Sequence, residues 1–232
     1  VYCAADEADQ LPEPQKQQKE SKKEQNAQIR AEQELAKRIL SRKRMLPFVE
    51  KFNPDYQAGW VHKDICQRLE KFSQDVAEKK SPRLMLFMPP RHGKSTLASI
   101  AFPAWHLGRN PGHEFISCSY SGSLAMSFSR KVRQVLREPN YKKVFEETRL
   151  DKDSQSVESW QTTQGGGYVA AGVGGGITGK GAHVLLIDDP VKNREDAESE
   201  NNREATWDWY TSTAYTRPVS YTHLRAHETL LD

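Results

Sequence analysis

The chain has 232 residues, with 34 Lys and Arg against 31 Asp and Glu, a formal net charge of +3, 36% hydrophobic and 28% charged residues. Its mean hydropathy is −0.80. That length suits one domain with an extension, and no apolar run reaches the roughly 18–20 residues that span a bilayer, which excludes a helical membrane protein. The charge is too small to establish a nucleic-acid partner on its own.

Three cysteines, Cys3, Cys66 and Cys118, are too few and too scattered for a disulfide framework, and no pair has zinc-ligand spacing. With no basic-then-apolar leader, the expectation is a reducing, intracellular setting. The first residue is Val1, not Met, so a piece of a longer protein is expected.

From about Leu11 to Arg44 the composition shifts to Gln, Glu and Lys without aromatics, and Pro12 and Pro14 break its start. From Ser21 onward only Ile29, Leu35, Ile39 and Leu40 are large and apolar in this stretch. One reading is a solvated or disordered arm that turns helical toward its end. The other is a basic lead-in, through Arg38, Arg42, Lys43 and Arg44, that touches nucleic acid or a partner subunit. Folded sequence is expected from Met45. Val61, Ile65, Leu69 and Phe72 have the spacing of one helical face. Leu84–Met88 is a short apolar run, followed by a small-residue helical segment from Thr96 to Leu107, bent at Pro103. Then come a strand over Glu114–Tyr120 and a helix over Ser123–Glu138, stopped by Pro139. Trp160–Thr163 and Tyr168–Ala171 read as short strands around a glycine cluster. The unbroken apolar run Val184–Ile187 suits a strand buried on both faces of a parallel sheet. Strands alternating with helices predict an α/β fold.

Two stretches approach the pattern G-x-x-x-x-G-K-[ST]. Met88-Pro89-Pro90-Arg91-His92-Gly93-Lys94-Ser95 lacks the leading glycine, and Gly174-Gly175-Gly176-Ile177-Thr178-Gly179-Lys180-Gly181 lacks the hydroxyl. A phosphate loop leaves a buried strand and opens a helix, so that its N–H groups and the helix N-terminus face the phosphates. Only the first stretch has that context, and only it offers a hydroxyl, Ser95, for Mg²⁺. Lys94 would neutralise the β- and γ-phosphates, the backbone around His92 and Gly93 would cradle them, and Arg91 would reach the γ-phosphate. A chance strand–turn–helix is the bland alternative. Downstream, Leu185-Leu186-Ile187-Asp188-Asp189 is an apolar strand ending in two acids. Asp188 would hold the metal and Asp189 would orient or deprotonate the attacking water. Alone, such a pair is as readily a helix cap. In this order the two motifs together indicate a nucleotide hydrolase.

The motif series resembles the large subunit of tailed-phage terminases, the motor that packages DNA into a capsid. The matching residues are Tyr56-Gln57-Ala58-Gly59-Trp60, Met88 to Thr96, Ser119-Tyr120-Ser121, Gly165 to Gly181, Leu185 to Lys192 and Trp207-Asp208-Trp209-Tyr210. The likeness spans about Phe48 to Pro218. It implies an α/β P-loop NTPase of the RecA-like type, a parallel sheet flanked by helices, truncated, with a helical or disordered arm. It also implies ATP and Mg²⁺ as substrate and cofactor, with nucleotide contacts from Gln57 (to adenine), Pro90, Arg91, His92, Gly93, Lys94, Ser95 and Thr96. Ser95 and Asp188 would be metal ligands, and Lys94, Asp189 and Arg91 catalytic. Many relatives carry Glu where this chain has Asp189. Arg130 and Arg133, on the helix after the second strand, are candidates for an arginine acting in trans. The implied partners are double-stranded DNA bound without sequence preference, a small terminase subunit, a portal and further copies in a ring, in the cytoplasm of an infected bacterium. A helicase or other translocase with the same core, and a truncated chain that binds nucleotide without turnover, are the rival readings. The glycines from Gly165 to Gly181 form either a tight hairpin or a flexible loop tipped by Lys180. Trp207, Trp209 and Tyr210 are expected to pack on a helix.

The expected organisation is a charged arm over 1–45, a partial ATPase domain over 46–218 and a foreign tail over 219–232. Val219 to Thr229 reads VSYTHLRAHET, which resembles the translation of a sequencing adapter, followed by index sequence. The pair His223 and His227 is therefore not read as a metal site. By the same resemblance, a strand between the phosphate-loop strand and the acidic strand is expected to be missing, as is a C-terminal nuclease domain. A sheet lacking a central strand leaves unpaired backbone groups, so poor folding and weak or absent ATP turnover are expected.

Overall fold

The structure is a computed structural model that describes residues 13–177, 179–217 and 223–228. Cys3, Pro12 and the adapter-like residues 219–222 and 229–232 lie outside the described residues. The chain divides into two compact units, Val1–Ile39 and Leu40–Asp232. Helix α1 runs over Glu13–Lys43. Pro14 sits in its first turn, where a missing N–H costs nothing, and good helix formers follow. Ile29, Leu35 and Ile39 are exposed along the first unit.

In the second unit the elements follow as α2 (Met45–Phe52), α3 (Trp60–Ala77), β1 (Arg83–Met88), α4 (Phe102–Arg109), β2 (Glu114–Ser119), α5 (Gly122–Arg137), α6 (Pro139–Val144), β3 (Leu150–Gln155), β4 (Ser159–Thr162), β5 (Gly167–Gly172), β6 (Val184–Asp188), α7 (Arg194–Glu198), α8 (Glu200–Trp209) and β7 (His223–Glu228). Two π-helical stretches, Thr96–Ala101 and Tyr210–Ala214, lead into α4 and out of α8. The expected bend near Pro103 is this change of helix type, with Pro103 in the first turn of α4. Pro139 does end α5, and it also opens α6, where its fixed φ suits the first turn.

One seven-stranded sheet carries the order β1-β7-β6-β2-β5-β4-β3. The pairings from β1 to β5 are parallel, and β5–β4 and β4–β3 are antiparallel. The fold is α/β, a mostly parallel sheet with helices on it. The antiparallel edge comes from β3, whose polar sequence LDKDSQ carries no strand periodicity. All of β6 is buried, as expected for a strand covered on both faces. On β2 the side chains alternate between two cores. Phe115 packs with residues of α2 to α6, whereas Ile116 and Cys118 pack with Trp209 and Ala214. Cys66 and Cys118 are buried free thiols.

The expectation of an empty central slot is corrected. Strand β7 pairs in parallel with β1 on one side and β6 on the other. The slot is filled by residues of the segment that resembles adapter sequence. The case for poor folding from unpaired backbone groups on β1 and β6 thereby loses its basis.

Glycine is demanded where the backbone of β5 meets the start of α5. A Cβ on Gly172 would lie 2.8 Å from the backbone nitrogen of Gly122, closer than non-bonded atoms come. Gly165, with φ +82°, turns the β4–β5 hairpin. This part of the glycine cluster is a tight hairpin. The stretch from Gly174 onward joins β5 to β6 and opens no helix.

Candidate active site

The end of β1 and the end of β6 bring together residues nearly a hundred positions apart. After Met88 the chain turns through Pro89–Gly93 and enters a helix at Lys94. Arg91 and Gly93 both have positive φ, 62° and 83°. Such a backbone is natural for glycine and strained for arginine, and strain of this kind collects at functional loops. Asp189 is the third such residue at the site, with φ 48°. Its turned carbonyl accepts a hydrogen bond from the Tyr120 N–H (3.0 Å), which ties the end of β6 to the end of β2.

Lys94 reaches both acids. Its Nζ is 2.5 Å from Asp189 Oδ1 and 3.1 Å from Asp188 Oδ1. Lys94 and Asp188 are sealed from solvent at 3% and 1% exposure, while Asp189 keeps 22%. The contact to Asp188 is ionic without hydrogen-bond geometry, and Asp188 Oδ1 has no hydrogen-bond partner among the described residues. Its other oxygen accepts from Ser99 Oγ at 2.5 Å. A buried carboxylate oxygen left without a donor, on one of two acids that share one ammonium, fits a divalent cation bound by oxygen ligands.

Around the loop the structure adds His62, which sequence motifs did not single out, and joins it to Tyr56 and Gly59 of the motif series. His62 accepts the Gly59 N–H at Nδ1 (3.0 Å) and so carries its proton on Nε2, which donates to the His92 carbonyl (2.9 Å). His92 Nδ1 in turn lies 2.8 Å from the Pro90 carbonyl. Tyr56 meets His62 edge-on at 5.6 Å. A Cβ on Gly93 would sit 3.3 Å from Tyr56 Oη. Burial pushes the Tyr56 phenol up to about 12, so it faces the loop as a neutral hydroxyl. Only the place of His62 two residues after Tyr56–Trp60 of the motif series hinted at this; the latch itself needs the fold.

The remaining expected residues fall as follows. Gln57 is exposed, next to Tyr56 on the segment before α3. Arg91 and Pro90 are exposed on the loop, Ser95 is partly buried, and Thr96 opens the π-helical stretch. On α5, Arg130 is exposed, but Arg133 is buried at 8% with its Nε unpartnered among the described residues. Trp209 is buried, whereas Trp207 on the same helix is 57% exposed. A cavity of about 660 Å³ opens beside Asp189, lined by Tyr120, Ser121, Pro190, Lys192, Asn202 and Trp209 among others. Among the described residues no helix is long and apolar enough to cross a membrane.

Comparison with known proteins places this chain in a family. The family model "Terminase large subunit, T4likevirus-type, N-terminal" matches residues 85–225. Among solved structures the chain is similar to the HK97 bacteriophage large terminase, with 16% identity over 81% of this chain and 37% of that one, at a TM-score of 0.47. The chain thus spans little more than a third of that protein's length. No curated protein matches the chain.

Proposed function

We infer that this chain, which belongs to the terminase large-subunit family through its N-terminal part, is an ATP-hydrolysing motor domain that drives double-stranded viral DNA into a procapsid. The observation that carries this reading is the convergence of Lys94, Asp188 and Asp189 where β1 and β6 end.

In this reading the N–H groups of Arg91 to Lys94 and the following helix N-terminus receive the β- and γ-phosphates. Lys94 then transfers its ammonium from the two carboxylates to the phosphate oxygens. Asp188 and Ser95 would hold Mg²⁺, which would supply positive charge to neutralise the phosphates in the transition state. Asp189, released from Lys94 and partly solvated, takes the proton of the attacking water. The water oxygen bonds to the γ-phosphorus as the bond to the leaving ADP breaks. The Arg91 side chain reaches the γ-phosphate from the loop, and Gln57 meets the adenine edge. Of the two candidate arginines on α5, Arg130 and Arg133, Arg130 is the exposed one and so the one accessible to a neighbouring subunit in a ring.

Force on DNA would follow from the rearrangement that γ-phosphate loss imposes on the loop and the acidic strand. Contacts to the DNA backbone carry no sequence information, so binding weakens steeply with salt. A small terminase subunit and a portal are the further partners, and the infected bacterial cytoplasm is the setting. Residues 219–232 remain proposed to be foreign sequence, of which His223–Glu228 form β7.

The test is phosphate release from Mg·ATP by the chain and by Lys94→Ala and Asp189→Asn. Turnover lost in both variants supports the site. Turnover that persists in Lys94→Ala refutes this phosphate loop and reopens Gly174–Gly181.

A further inference from the structure

We propose that Ser99 is a positioning residue that holds Asp188, and thereby decides which carboxylate oxygen is offered to the metal ion. This rests on the nucleotide-hydrolase reading above and adds a residue to it. Ser99 is completely buried, and its Oγ donates to Asp188 Oδ2 at 2.5 Å across 89 residues of sequence. The opposite oxygen, Oδ1, is the one that faces Lys94 and lacks a hydrogen-bond donor. One oxygen is therefore occupied by a hydroxyl, and the other faces only the Lys94 ammonium, whose place a metal cation can take.

The local backbone explains why Ser99 arrives there. It lies five residues beyond Lys94, a separation that in a regular α-helix points the two side chains apart. Here Thr96–Ala101 is π-helical, closed by the Phe102 N–H to the Leu97 carbonyl. A π-turn takes more residues for one rotation, so it brings Ser99 round toward the face of Lys94; such turns are frequent at functional sites. The loop hydroxyl Ser95, one residue after Lys94, is left free of this duty. On the neighbouring strand, Ser119 stands in register with Asp188, but its buried Oγ makes no hydrogen bond among the described residues. Ser99 is thus the hydroxyl that fixes the acid.

The test uses the full 232-residue chain and a fluorescent ATP analogue, with binding followed as MgCl₂ is added and again in EDTA. Ser99→Ala should raise the Mg²⁺ concentration for half-maximal binding by about tenfold or more, as losing a partner of a metal ligand typically does. Its affinity in EDTA should stay within about twofold of the unsubstituted chain. Ser129→Ala serves as the structural comparison. That hydroxyl is also buried, between the Trp160 indole and the Val157 carbonyl, away from the site. It should lower thermal stability without moving the Mg²⁺ midpoint. Ser99→Cys keeps the side-chain volume while donating weakly, and should shift the midpoint in the same direction with the packing intact. An unchanged midpoint in either Ser99 variant, or an equal shift in Ser129→Ala, overturns the proposal while leaving the hydrolase reading intact. Nucleotide binding by the unsubstituted chain that is indifferent to Mg²⁺ sinks both.

Discussion

The Nζ of Lys94 and the Oδ1 of Asp188 lie 3.1 Å apart, and neither side chain has meaningful access to water. Asp189 shares the same ammonium from the solvent side. One cation facing two carboxylates leaves the cluster with an excess of negative charge. Phosphate cannot approach such a cluster unless Lys94 turns outward, and the acids then need another cation. The pair links the two ends of the sheet motif and, in the proposed reading, would set the order of events on nucleotide binding.

Replacing Lys94 with alanine should therefore do more than abolish turnover. It leaves the carboxylate of Asp188 buried with the Ser99 hydroxyl as its donor, and breaking a buried ion pair from one side typically costs about 3–5 kcal/mol. Urea unfolding of Lys94→Ala should report a loss of that order. The double variant Lys94→Ala, Asp188→Asn should recover a good part of it, because the stranded charge is gone.

His62 is expected to matter for binding without touching the nucleotide. Its two hydrogen bonds tie the Gly59 backbone to the His92 carbonyl, so they hold the loop in its strained form before phosphate arrives. His62→Ala should weaken ATP binding about fivefold, equivalent to roughly 1 kcal/mol for hydrogen bonds of this kind. Isothermal titration with nucleotide would read the change, and the melting temperature should hardly move.

A second histidine group predicts acid sensitivity. His106 is completely buried, with Nδ1 2.8 Å from Ser73 Oγ and Nε2 3.2 Å from His113 Nδ1. The rings of His113 and His183 stack at 4.2 Å, and His183 Nδ1 accepts from the Glu114 N–H. Burial, followed by the neighbouring imidazoles, holds His106 well below its usual range. The same causes bring His113 down to about 4. Burial lowers His183, opposed by Glu114, and Arg109 adds repulsion at His106. Groups depressed in the folded state stay neutral there while the unfolded chain takes up protons. Stability is then fully present above about pH 6.5, the ordinary histidine value, and is lost as pH falls toward about 4, where His113 titrates in the folded chain. Melting temperatures across this window should fall steadily. His113→Gln should flatten the slope.

Strand β7 predicts the effect of shortening the chain. Its backbone joins β1 to β6, so deleting residues 219–232 exposes paired groups on both neighbours and leaves the edge strand β1 without its strand partner. The deleted chain should melt at a lower temperature and exchange the amides of β1 and β6 faster. Equal protection of those amides in both chains would show that β7 contributes no pairing.

Much of this was legible without coordinates. Apolar Val184–Ile187, the Gly-Lys-Ser turn after Leu84–Met88 and the acids at 188 and 189 are local patterns, set by neighbours a few residues apart. Strand and helix periodicity, turn chemistry and the order of the two motifs therefore determined the α/β class and the candidate phosphate and acid residues. Tertiary structure alone decided who touches whom. The pairing of Lys94 with Asp189 joins residues 95 positions apart, and the choice of Ser99 depends on a π-turn that residue types do not announce. The occupant of the slot between β1 and β6 was misjudged because a polar, unfamiliar segment gives no periodic signal for burial. Backbone hydrogen bonding accepts any side chain whose strand lies in register, and register is a property of the assembled sheet.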